Sequence, residues 1–231
     1  MHNAQPVVFV VDDDASVRKS LEMLVRDAGW QAELFTSAAD FRARPRHPGV
    51  SCLVLDVELP GLGAMNLQEL IADRAHMPIV LITGQGDVVA SVRAMAAGAI
   101  EFLAVPVVAN GVLDAIRHGL DRSQAALSAE MELQVLRASL AGLTPREREV
   151  MALVASGLLN KQVSAELGIS EITVKAHRGS VMRKMRARSF AQLVMMGVKL
   201  RIVDMSPATP QARRSYRSIP SGNTELVAFA H

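Results

Sequence analysis

Four carboxylates stand where two apolar runs end. Asp12, Asp13 and Asp14 follow directly on VVFVV at 7–11, and Asp56 follows LVL at 53–55. Clustered carboxylates repel one another and need a cation. Hard oxygen donors of this kind suit Mg2+, which is usually held by one or two carboxylates together with water and phosphate oxygens. A cation there would screen an incoming phosphoryl group and leave one carboxylate free as a nucleophile. Taken singly, each aspartate reads better as a plain structural residue, Asp12–Asp14 as caps of the following helix and Asp56 as a loop residue. Their placement together at two strand ends is what points to a site.

That placement needs particular elements behind it. The runs 7–11, 53–55 and 79–82 are apolar throughout and rich in β-branched residues, which suits strands buried on both faces of a parallel sheet. The segment 31–35 is more mixed and suits an edge strand, and 100–103 reads as a fifth strand. Helical patterns lie near 15–28, 38–43, 65–74, 88–97 and 108–120, punctuated by Gly29, Pro78 and Gly98. Alternating strands and helices predict a doubly wound α/β domain, in which ligands bind at the carboxyl edge of the sheet. Asp12–Asp14 and Asp56 lie at that edge, and adjacent parallel strands would bring them together.

Basic residues dominate the other half of the chain. Residues 1–122 hold 10 Lys/Arg and 15 Asp/Glu, a net of −5, whereas 123–231 hold 15 and 8, a net of +7. A basic module joined to an acidic one suggests that the C-terminal half meets a polyanion, although a merely solvated basic surface fits the charge alone. With 231 residues there is room for two modest domains. The apolar runs are far too short to span a bilayer. No basic start followed by a long apolar stretch marks a secretory leader, so a cytoplasmic location is expected. Cys52 is the only cysteine, which excludes an internal disulfide and fits a buried thiol.

After Leu120 a helical pattern continues to about Leu140, with Leu127, Met131 and Leu136 at roughly helical spacing. It reads as a connecting helix that could pair with its copy in a dimer, or as a packed or flexible linker. Residues 143–201 then read as a compact four-helix unit. Thr144-Pro145-Arg146-Glu147 has the form of a capping box, Asn160 can cap the next helix, Gly168-Ile169-Ser170 is a tight turn, and Ser189 can cap the last helix. Two helices joined by a short Gly-containing turn, the second of them basic, form the helix-turn-helix pattern.

On the second of these helices, Val174, His177, Val181 and Met185 share the face expected to pack inward. Lys175, Ala176, Gly179 and Arg183 share the opposite face, with Ile172 and Ser180 at its margins. Lys175 can donate to a guanine edge, and the Ala176 methyl can pack on a thymine methyl. Ala176 and Gly179 are small enough to let the helix sit close in the major groove of double-stranded DNA. Asn160, Lys161 and Thr173 lie at helix starts, which suit phosphate, and Arg178 lies between the faces within reach of the backbone. Lys184, Arg186 and Arg188 read as general electrostatic contributors. Beyond 203 the sequence turns rich in Ser, Pro, Thr, Gln and Arg, the composition of a disordered tail.

The segments VVFVVDDDASVR, LVLDVELPG, IVLITGQGD and AGAIEFLAVP resemble a response-regulator receiver domain over 7–120. With LTPREREVMALVASGLLNKQVSAELGISEITVKAHRGSVMRKM added, the chain resembles the NarL/FixJ class, a receiver joined to a LuxR-type helix-turn-helix. The resemblance implies a flavodoxin-like receiver at 1–121, a helical linker at 122–141, the DNA-binding domain at 142–202 and a tail at 203–231. Asp56 would accept a phosphoryl group from a sensor histidine kinase. Asp12, Asp13, Asp56 and the backbone carbonyl of Glu58 would serve Mg2+. Thr83 would bond the phosphoryl oxygens, and Phe102 would be the aromatic switch, or else a plain core residue. The implied product is a transcription factor and not an enzyme, acting as a homodimer on DNA.

One departure stands out. Where such receivers carry a Lys just before a Pro, this chain has Val105 before Pro106. A phosphoaspartate adds negative charge to an acidic pocket, and an ammonium would offset it. Weak or absent dependence on phosphorylation is the hypothesis that follows. Val105→Lys should then increase phosphorylation-coupled activity, and no gain would count against it. Two rivals stay open: a pseudo-receiver that works by protein binding alone, and a phosphatase or phosphotransferase using an aspartyl-phosphate.

Overall fold

The computed structural model describes residues 5–60, 69, 74, 76–83 and 110–202, and the backbone alone of 101–104 and 109. The chain divides into two compact units, Met1–Glu132 and Leu133–His231.

Five strands make up the first unit's sheet: β1 (Val7–Val11), β2 (Gln31–Phe35), β3 (Ser51–Asp56), β4 (Ile79–Thr83) and β5 (Glu101–Ala104). All pairings are parallel, in the order β2-β1-β3-β4-β5. Successive side chains alternate between two buried layers. Phe9, Leu53, Leu55, Ile79 and Leu81 pack on one face, and Val8, Val10, Val54, Val80 and Ile82 on the other. Burial of both faces explains why these strands read as unbroken apolar runs. β2 lies at the edge and is only partly buried, as its mixed composition implies.

Helix α1 (Ala15–Asp27) starts because Asp14 caps it, accepting from the Ser16 and Val17 amides at 2.6 and 3.2 Å. Gly29, at φ +85°, makes the turn into β2. Helix α2 (Ala38–Ala43) contributes Phe41 to the Phe9 layer. Helix α3 runs unbroken over Ala109–Ala141, so the helix expected at 108–120 and the connecting helix after it are one element. Val112, Ala115, Ile116 and Leu120 seat it on the Val8–Val54 layer. At Gly119 a Cβ would fall 2.6 Å from Cys52 Sγ, so glycine permits the close approach. Ser123, fully buried, accepts from the Ser51 amide at 3.1 Å and donates to the His76 carbonyl at 2.7 Å. Burial pushes the Cys52 thiol up to about 12, consistent with an inert buried thiol.

The second unit holds α4 (Pro145–Ala155), α5 (Asn160–Leu167), α6 (Glu171–Lys184) and α7 (Phe190–Lys199). The capping box of α4 is formed on both sides: the Glu147 amide donates to Thr144 Oγ1 at 3.2 Å, and the Thr144 amide to Glu147 Oε2 at 2.8 Å. Ser170 and Ser189 cap α6 and α7. Asn160 does not cap α5, contrary to expectation. It is the first helical residue, Leu159 holds the cap position, and the Leu159 amide donates to Gln162 Oε1 at 2.8 Å. Gly168, at φ +64°, closes α5 and sets the turn into α6. Met151, Val181, Met185 and Leu193 form one apolar cluster, and Val150, Val154, Val163 and Val174 another. The proposed helices at 65–74 and 88–97 lie outside the described residues apart from Glu69 and Arg74, as do Val105 and the tail at 203–231.

Candidate functional site

The register Val11↔Leu55 brings the ends of β1 and β3 level, so Asp12 and Asp56 stand side by side at the carboxyl edge of the sheet. β1 has β2 on one side and β3 on the other, so this is the switch point where doubly wound folds bind ligands. Asp12, Asp13 and Asp56 each offer an oxygen there, all within 4.8 Å of one another. Asp14 belongs to the α1 cap instead, and its amide donates to Asp12 Oδ1 at 2.8 Å. Burial, then repulsion from Asp56, Asp13 and Asp14, raises the Asp12 carboxyl above its ordinary value, opposed by that amide bond. Burial, then the charges of Glu58 and Asp13, raises Asp56 likewise, opposed by the Glu58 amide. Crowded hard oxygens that resist ionisation fit a small divalent cation.

β4 runs beside β3 with Asp56↔Ile82 in register, which brings Thr83 next to the phosphoacceptor candidate. Thr83 is 1% exposed, and its hydroxyl donates to Glu58 Oε1 at 3.0 Å. The Glu58 amide donates to Asp56 Oδ1, also at 3.0 Å. Leu59, buried beside Val57, anchors the turn that carries Glu58. Phe102, on β5, pairs with Leu81 of β4, and its side chain lies outside the described residues.

In the second unit, Val174 and Val181 of α6 and Met185 after it are buried, and His177 is half-buried. Thr173, Lys175, Ala176, Gly179 and Arg183 are exposed, and a Cβ at Gly179 would meet open space. Ile172 joins this face and is 79% exposed, though neither apolar cluster uses it. Lys161 is exposed at the start of α5. Arg178 is half-buried: its Nη1 donates to Asn160 Oδ1 at 3.3 Å, and its guanidinium sits 4.8 Å above the Phe190 ring. Lys184, expected from the sequence as a general electrostatic contributor, is ion-paired within the unit. It donates to Glu147 Oε2 at 2.7 Å, and this bond, aided by the Thr144 amide, holds the Glu147 carboxyl at about 2.

Comparison with known proteins agrees with both halves. Residues 8–117 match the response regulator receiver domain family, and 141–197 match the bacterial regulatory proteins of the luxR family. Nodulation protein W of Bradyrhizobium diazoefficiens is 46% identical over 201 residues, covering 87% of this chain and 88% of that one. Transcriptional regulatory protein FixJ of Azorhizobium caulinodans is 38% identical, with coverage of 88% and 97%. The solved response regulator StyR aligns at 45% identity with a TM-score of 0.71, covering 85% of this chain and all of that one. The chain belongs to the NarL/FixJ class of two-component response regulators.

A member of this class is a DNA-binding response regulator, and its α/β receiver and helix-turn-helix are as expected from the sequence. Among the described residues, no helix is long and apolar enough to cross a membrane. Three features escaped the sequence reading. The Glu58 side chain bonds Thr83, a contact between two strand ends that no local spacing encodes. Arg178 binds Asn160 and Phe190, and the aromatic ring after a capping serine was the only available hint. Lys184 lies 37 positions from its partner Glu147, and the capping box had already assigned that carboxylate a local role.

Proposed function

We propose that this response regulator takes a phosphoryl group on Asp56 from a sensor histidine kinase and passes the signal to DNA reading by α6. The observation that carries this reading is the cluster of Asp12, Asp13 and Asp56 oxygens within 4.8 Å at the sheet's switch point. An Asp56 carboxylate oxygen attacks the phosphorus of a phosphohistidine, the P–N bond breaks, and the imidazole leaves with the electron pair. Asp12, Asp13, Asp56 and the Glu58 backbone carbonyl would hold Mg2+, whose charge offsets that of the phosphoryl oxygens. Thr83 donates its hydroxyl to a phosphoryl oxygen, and Phe102 follows Thr83 as the aromatic switch.

The output surface is the exposed face of α6. Lys175 and Arg183 supply charge and donors, Ala176 and Gly179 admit the helix to the major groove, and Ile172 adds an apolar contact suited to a thymine methyl. Lys161 and Thr173 take backbone phosphates. Asn160 and Arg178, bonded to each other, contribute at the edge of that contact. Receiver, linker, DNA-binding domain and tail are assigned to 1–121, 122–141, 142–202 and 203–231. The active species is a cytoplasmic homodimer on DNA with no enzymatic turnover of its own.

Val105 favours a second reading, a pseudo-receiver that controls the same DNA-binding unit through protein contacts alone. Intact-protein mass after incubation with a small acyl phosphate and Mg2+ separates the two. The preferred reading expects a phosphoryl adduct that Asp56→Asn abolishes. No adduct under conditions that modify an ordinary receiver leaves the pseudo-receiver reading in place.

A further inference from the structure

One carboxylate in the acidic pocket belongs neither to the cation cluster nor to the nucleophile. Glu58 is an exposed residue, yet it is held at both ends. Its amide donates to Asp56 Oδ1, and its Oε1 accepts from the buried Thr83 hydroxyl, each at 3.0 Å. The side chain therefore lies across the gap between the end of β3 and the end of β4, which is where a phosphoryl group on Asp56 would project. A threonine hydroxyl has one proton to donate. While it donates to Glu58 it cannot donate to a phosphoryl oxygen.

We propose that Glu58 is a gate: in the resting protein its carboxylate occupies the phosphoryl-oxygen position on Thr83, and it must swing away before phosphorylated Asp56 can engage that hydroxyl. The proposal rests on the reading of Asp56 as phosphoacceptor. Glu58 is a positioning residue in this account, because it acts through Thr83 and not on the reacting atoms. Two effects slow phosphoryl uptake. The hydroxyl is already engaged in a charge-assisted bond, which is the stronger kind. A fourth carboxylate also stands beside an incoming dianion, in a chain whose fifth strand is followed by Val105-Pro106 and not by a cation.

The test uses the full chain, a small acyl phosphate and Mg2+, with the phosphoryl adduct followed by intact mass over time. Wild type is compared with Glu58→Ala, Glu58→Gln, Thr83→Ala and the double variant Glu58→Ala/Thr83→Ala. Glu58→Ala is expected to speed adduct formation about tenfold, the scale of one charge-assisted hydrogen bond. Glu58→Gln, which loses the charge but keeps an acceptor for Thr83, should gain only part of that. In the Thr83→Ala background the Glu58→Ala gain should shrink to the charge share alone, an outcome that a general loosening of the turn would not produce. An adduct seen in Glu58→Ala but not in wild type supports the gate most strongly. Equal rates for wild type and Glu58→Ala, or the same gain with and without Thr83, overturn it while leaving Asp56 as phosphoacceptor. No adduct in any variant removes the phosphoacceptor reading and the gate with it.

Discussion

The two ends of this protein hold charge in opposite ways. At the receiver's edge, like charges from separate strands are forced together, and burial and repulsion raise the Asp12 and Asp56 carboxyls. On the DNA-binding unit, the cations that the fold needs are matched inside the unit: Lys184 to Glu147, and Arg178 to Asn160 and Phe190. The exposed face of α6 carries Lys175 and Arg183 outward. Like charges crowded at the acidic edge oppose one another, and a bound cation would relieve that repulsion. The second unit pairs Lys184 and Arg178 internally and leaves Lys175 and Arg183 on an exposed face.

That division can be broken most sharply on α6. Lys175→Ala should cost about 1–3 kcal/mol in discrimination between a preferred duplex, selected from a random pool, and its variants at one base pair. Lys184→Ala should leave that discrimination unchanged and lower the thermal stability of the second unit instead. Binding titrations at fixed salt, paired with melting curves, measure both. If the two lysines behave alike, charge is not divided as described.

The tension at the receiver's edge should be visible without any phosphoryl donor. Mg2+ at a hundredfold excess over its Kd is expected to stabilise the receiver by about 2.7 kcal/mol. Unfolding can be followed through Trp30, the only tryptophan, which packs on the receiver's α3-facing layer. Asp13→Asn should raise stability slightly in chelator, by removing one repelling charge, and erase most of the response to Mg2+. A variant that still responds fully would remove Asp13 from the cation site.

The smallest effect concerns pH. Glu147 sits at about 2 in the folded unit, against an ordinary value of 4.5. A depressed carboxyl contributes stability that is fully present above the unfolded value and lost as pH falls through the folded one. Protection of α4 and α6 amides from hydrogen exchange should therefore decline between pH 4.5 and about 2. Glu147→Gln should flatten that decline, and an unchanged slope would place the acid sensitivity elsewhere.

Most of the fold was legible because its signals are local. Strands buried on both faces must be apolar throughout, and 7–11 appears in the structure with the bounds read from the sequence. The caps at Thr144, Ser170 and Ser189 work within one helical turn, so their spacing is written in consecutive residues. The inward and outward faces of α6 follow from helical periodicity alone, and burial at Val174 and Val181 matches it. Asn160 was misread because the cap preference identifies residue type well but position only to within a residue, and a leucine at the cap left no polar signal to correct it.

What the sequence determined by itself is therefore the types of the described elements, the two-unit plan, the carboxylates at the strand ends of one unit and the basic helix of the other. Each of these rests on interactions between residues a few positions apart. Tertiary structure decided that Asp12 and Asp13 share a pocket with Asp56, because that depends on the register of β1 against β3. It decided that Glu58 reaches Thr83 across 25 residues of chain, and that Lys184 reaches Glu147 across 37. A hydrogen bond depends on distances of about 3 Å, and separation along the chain carries no information about such distances until the strands and helices have packed.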